Sequence, residues 1–102
     1  MALPPRDHRM TLDEAAAHTK RYRDAKIHEV KGGAFHKDQV LELLNQPGCV
    51  GLRIYHGHDT AGSPTFVLAG IDKTDSDITK GVLLERQYPC PPFCGGANPL
   101  NS

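Results

Sequence analysis

The sequence predicts an α+β domain: two N-terminal helices packed on a three-stranded antiparallel meander, completed by an irregular Pro/Cys/Gly C-terminal tail. Three observations carry this expectation. Two apolar runs, residues 49–55 and 65–71, flank a polar connector too short for a crossover helix, so their strands should run antiparallel. Two earlier stretches carry apolar residues at helical spacing. Beyond them, Pro89, Pro91 and Pro92 exclude a helix or a central strand from the end of the chain.

Taken in order, residues 1–10 are polar and aperiodic, contain Pro4 and Pro5, and read as an extended arm. Thr11, Leu12, Asp13 and Glu14 fit a capping box, with the Thr11 hydroxyl accepting from the Glu14 amide and Glu14 reaching back to the Thr11 amide. The helix started there should run through Leu12, Ala16, Thr19, Ile27 and Val30 and end at Gly32 and Gly33. Asp13 and Glu14 in its first turn and Lys26, His28 and Lys31 near its end follow the charge order the helix dipole favours.

A second helix is expected from about His36, with Phe35 stapled on Val40 and a wide apolar arc of Val40, Leu41, Leu43 and Leu44. Gln46, Pro47 and Gly48 stop it. Val50, Leu52 and Ile54 then alternate with Gly51, Arg53 and Tyr55, which assigns the first set to the core face. Residues 65–71 are apolar on both faces, the mark of a central strand, and a third strand should run from Gly81 to Gln87 or Tyr88. The resulting organisation is an N-terminal arm at 1–10, a single α+β domain at 11–88 and a tail at 89–102. So narrow a sheet leaves edges to protect, and a homo-oligomer or a protein partner is expected to cover one.

A chain of 102 residues is one domain with one modest core. Twelve basic residues balance twelve acidic ones, so no overall field gathers nucleic acid. The N-terminus lacks the apolar region of a secretory signal and no apolar run approaches the roughly 20 residues that span a bilayer. The expectation is a cytoplasmic protein with neither membrane nor nucleic acid as partner. Thiols are normally reduced there, and three cysteines leave one unmatched after any pairing.

Residues 46–55 (Gln46-Pro47-Gly48-Cys49-Val50-Gly51-Leu52-Arg53-Ile54-Tyr55), the segment Cys90-Pro91-Pro92-Phe93-Cys94 and the ending Asn98-Pro99-Leu100-Asn101 form a distinctive combination. In these the chain, over most of its length after residue 35, resembles a group of small uncharacterised bacterial proteins with a Cys-Pro-Pro-x-Cys segment near the C-terminus. The resemblance implies a soluble bacterial protein and assigns no catalytic residue.

The residues offer few candidate sites. Cys90 and Cys94 are spaced so that two thiolates can grip a soft metal such as zinc, the remaining ligands coming from Cys49, His36, His56, His58 or a second subunit. Reduced or disulfide-linked cysteines in a packed tail are the plainer account, and the pair can also act as a redox couple. His56 and His58 lie two apart on a strand and face the same way, with Asp59 beside them, and solvated strand-end histidines are the plainer account. Asp72, Asp75 and Asp77 lack the glycine and distal glutamate of a calcium loop and read as a polar turn. Arg53 can clamp a carboxylate or phosphate with its planar fork, or simply face solvent. No Gly-x-Ser-x-Gly and no phosphate-cradling glycine loop is present. The functional expectation is a non-enzymatic binding or assembly module that self-associates or docks on a larger bacterial complex. A zinc-type metal-binding or thiol redox protein using Cys90 and Cys94, with His56 and His58, is the alternative.

Overall fold

The computed structural model describes residues 3–101; the first two residues of the expected arm and the last of the expected tail lie outside the described residues. The fold is α+β with antiparallel sheets, and the elements are α1 (Leu12–Ala25), β1 (Gly32–Ala34), α2 (Lys37–Leu44), β2 (Gly51–His58), β3 (Pro64–Ile71), β4 (Leu83–Leu84) and β5 (Tyr88–Cys90). They fall into two compact units, one built on Phe35–Gln87 and the other on Arg6–Ala34 with the chain from Tyr88 onward.

In the first unit β3 is the middle strand of β2-β3-β4, as its apolar residues on both faces predict. Thr65, Leu68, Ala69 and Ile71 are buried, Ile71 at 1% exposure. The β2–β3 ladder runs the full length of both strands, from Gly51 opposite Ile71 to His58 opposite Pro64. Asp59 ties the hairpin loop by accepting from the Ala61 and Ser63 amides, each at 2.9 Å, and Gly62 takes the left-handed φ of 85° that the loop requires.

Helix α2 starts on His36, whose Nδ1 accepts from the Asp38 amide at 3.3 Å. It lays Leu43, fully buried, against Leu68 and Leu84, and Phe35, Val40, Leu44, Leu52, Phe66 and Val82 close around them. Eight residues make a helix of roughly 12 Å. That covers only part of the sheet, and this corrects the expected core face of β2: Leu52 packs on the core, whereas Val50 and Ile54 are 61% and 56% exposed. The third strand is also shorter than expected. Val82 gives its N–H to Gln46 Oε1 at 2.7 Å and Arg86 adopts φ 60°, so only Leu83 and Leu84 remain in the ladder with Ala69 and Leu68.

The second unit corrects the first half of the architecture. Thr11 caps α1 as expected, its Oγ1 accepting from the Glu14 amide at 3.1 Å, but Glu14 Oε1 takes the Thr11 hydroxyl instead of its amide. The helix stops at Ala25 rather than reaching Gly32: Lys26 turns left-handed at φ 53° and bonds back to the Arg23 carbonyl at 3.1 Å. No residue of α1 is buried; α2 packs on the three-stranded sheet, and α1 belongs to the other unit, so the two helices do not form the expected pair within one unit. Gly32–Ala34 instead form a two-stranded antiparallel ribbon with Tyr88–Cys90, Gly33 opposite Pro89. Pro89 has no N–H to give, which suits a short ribbon with no strand beyond it.

Candidate functional site

The tail site is built on that ribbon. Cys90 ends β5, directly opposite Gly32, and its carbonyl accepts the Lys31 N–H at 2.6 Å. Cys94 bonds to it in a disulfide, with Cα atoms 4.7 Å apart. The peptide bonds Cys90-Pro91 and Pro91-Pro92 are both cis. Phe93 returns its N–H to the Pro89 carbonyl at 2.8 Å and sets its ring edge-on to Tyr88, centroids 5.1 Å apart.

After Cys94 the chain folds into a turn held by two asparagines. Asn101 Nδ2 donates to the carbonyls of Cys94 (2.9 Å) and Gly96 (3.1 Å), while its Oδ1 accepts from the Asn98 amide at 2.9 Å. Asn98 Oδ1 in turn accepts from the Leu100 amide at 2.8 Å. This turn presents two carbonyls to a cation in the last turn of α1 and one beyond its end: Arg23 Nη1 donates to Leu100 O at 2.8 Å and Lys31 Nζ to Asn101 O at 3.2 Å. Arg23 and Lys31, with Lys26, Ile27, His28 and Glu29, line a cleft of about 390 Å³.

His56 and His58 belong to the other unit, exposed on β2. The His56 ring rests against Phe66, centroids 5.6 Å apart, and His58 is opposite Pro64 at the end of the ladder. Cys49 is a free thiol whose Sγ lies 3.1 Å from the Gly51 carbonyl, and His36 is spent as a helix cap. Of the four residues expected to hold zinc, the structure brings together Cys90 and Cys94, as a disulfide. Among the described residues, no group of three or more His, Cys, Asp or Glu side chains is gathered closely enough to hold a metal ion.

Arg53 is a clamp, and the carboxylates it holds are the chain's own. Its Nη1 donates to Asp77 at 2.7 Å and its Nη2 to Asp75, while the Tyr55 hydroxyl donates to the other oxygen of Asp77. Arg53 and Tyr55 alternate with Leu52, the residue of β2 that packs on the core, so this network covers the sheet face opposite α2 and ties the 72–78 loop across β3. Asp72 is used differently, accepting from the Thr74 hydroxyl (2.6 Å) and from the Thr74 and Ser76 amides.

The Tyr55 hydroxyl, and then the Arg53 guanidinium, hold the Asp77 carboxyl below its ordinary value of 3.8. The folded state therefore binds fewer protons there than the unfolded chain. The stabilisation is complete above the ordinary value and is lost as pH falls through the lowered one. Urea unfolding followed between pH 6 and pH 2.5 should show stability falling at the acid end, and Tyr55→Phe should make that fall shallower. Parallel acid limbs for the two proteins would deny the network this role.

Compared with protein-family models, with curated proteins and with solved structures, the chain matches none. Among the described residues, no helix is long and apolar enough to cross a membrane.

Proposed function

We propose that the chain is a non-enzymatic binding or assembly module whose contact element is the outer edge of β2, and that its first partner is a second copy of itself. The observation that carries this reading is the make-up of that edge. β2 is the outermost strand of its sheet and is eight residues long without a proline, and Val50, Ile54 and Tyr55 are exposed at or beside it. Its one permanent cation, Arg53, is folded back on Asp75 and Asp77 and does not guard the edge. Two such edges are self-complementary in antiparallel pairing about a two-fold axis, because neither brings an uncompensated charge. Docking on a larger bacterial complex by the same strand addition uses the same backbone groups.

Light scattering on the size-separated protein should give the mass of a dimer or larger assembly, and Ile54→Lys should reduce it to the monomer while leaving the fold intact. A strict monomer at every concentration for both proteins would remove the self-association.

A thiol-redox role is the second reading, favoured by the pairing of Cys90 with Cys94. In the cytoplasm that the sequence suggests, such a pair is more often transient than structural. Zinc on Cys90, Cys94, His56 and His58 requires the disulfide to be open, since the thiolate is the ligand. Elemental analysis of tag-free reduced protein beside a Cys90→Ser/Cys94→Ser variant separates zinc binding from redox use.

A further inference from the structure

We propose that the Cys90–Cys94 disulfide is a redox latch: closed, it holds the 94–101 turn on Arg23 and Lys31, and opened by a dithiol reductant it releases that turn. The proposal rests on the thiol-redox reading and is independent of edge pairing by β2.

The bond path supports it. Cys90 is fixed in the ribbon, by its register with Gly32 and by the Lys31 amide on its carbonyl. Cys94 is fixed in the turn, through its carbonyl's bond from Asn101 Nδ2. The disulfide is the covalent joint between these two bodies. Without it, the covalent path between them is Pro91, Pro92 and Phe93, a segment exposed to solvent whose described contacts are the Phe93 N–H on the Pro89 carbonyl, the Cys94 N–H on the Pro92 carbonyl and the Phe93–Tyr88 ring contact. The far end of the turn carries the two carbonyls that meet Arg23 and Lys31. Both of those bonds are exposed, and exposed charge-assisted contacts hold only while the group they meet is already positioned. Freeing the joint returns conformational entropy to the loop and removes that positioning.

The chemistry is two-electron thiol–disulfide exchange. A thiolate of the reductant attacks one of the two sulfurs, the S–S bond breaks, and the other cysteine leaves as thiolate and takes a proton. The reductant's second thiol then displaces the first cysteine from the mixed disulfide. Two cysteine thiols result, and the reductant is left as its own disulfide. Both cysteines are half-buried at the edge of the exposed 91–93 segment, within reach of a reductant.

The test is amide hydrogen exchange on the full chain in three forms: oxidised, reduced with dithiothreitol, and Cys90→Ser/Cys94→Ser. The oxidised form should leave only Cys49 open to alkylation. Reduction, and the double substitution, should speed exchange at residues 94–101 by about tenfold or more. Exchange across β3 should stay unchanged. Arg23→Gln with Lys31→Gln should speed the same amides while the disulfide remains closed. Alkylation of all three cysteines in the oxidised form would overturn the thiol reading itself. A closed disulfide with equal exchange at 94–101 in all three forms would overturn the latch alone, and so would acceleration spread equally over β3.

Discussion

Leu43→Ala is expected to cost the first unit about 3 kcal/mol, lowering Tm by more than about 10 °C in a domain of this size. Leu43 is fully buried and is the residue through which α2 meets Leu68 of β3 and Leu84 of β4. Truncating it removes transfer free energy and leaves a cavity between one short helix and a narrow sheet, with no second helix in this unit to close over the gap. Leu41 offers an internal control: it lies on the same helix, is 42% exposed, and its alanine variant should lose far less. Thermal and urea unfolding of both variants by circular dichroism decides the matter, and equal losses would show that α2 is not seated on the sheet as described.

The second large effect is expected at Gly81. A Cβ built there meets Gln46 Oε1 at 1.9 Å, far inside the contact distance of two non-bonded heavy atoms. Gln46 is the far end of a flexible side chain, yet it is not free to yield. Its Oε1 accepts the Val82 N–H at 2.7 Å and its Nε2 donates to the Leu43 carbonyl at 2.8 Å, so this one amide group bridges the end of α2 to the start of β4. Gly81→Ala should drive Gln46 away and orphan both backbone groups, a loss of about 1–3 kcal/mol. If that is the cause, Gly81→Ala combined with Gln46→Ala should be little worse than Gln46→Ala alone. Additive losses measured by urea unfolding would place the damage elsewhere.

Legibility in the sequence followed the range of the interactions involved. The Thr11 cap and the two-faced burial of β3 depend on neighbours a few residues apart, and the pattern shows them. The end of α1 was hidden because Ile27 and Val30 continue a helical spacing, while the competing partner of Gly32–Ala34 lies at Tyr88–Cys90 and two glycines carry no pattern of their own. For Arg53 the sequence offers a clamp beside the plainer outward-facing arginine, and it cannot choose between them, since nothing local says that Asp75 will turn left-handed at φ 66° and, with Asp77, face it. Cys90 and Cys94 stood out by spacing, but spacing alone leaves metal, thiol and disulfide open. The long-range contacts of Arg23, Lys31 and Gln46 have no local mark, since their partners lie 77, 70 and 36 residues away. The glycines and asparagines after Cys94 are the local signal that the tail turns sharply, and Asn98 and Asn101 hold the turn it forms.

The order in which the strands occur along the polypeptide has a kinetic consequence. The hairpin of β2 and β3 and the helix just before it join near neighbours, so this part can condense while synthesis is still under way. The ribbon of β1 and β5 joins segments from either side of it. Until the ribosome has released Tyr88–Cys90, Gly32–Ala34 lack their ladder partner and their backbone groups stay hydrated, so the ribbon closes only after every residue of the hairpin has been made.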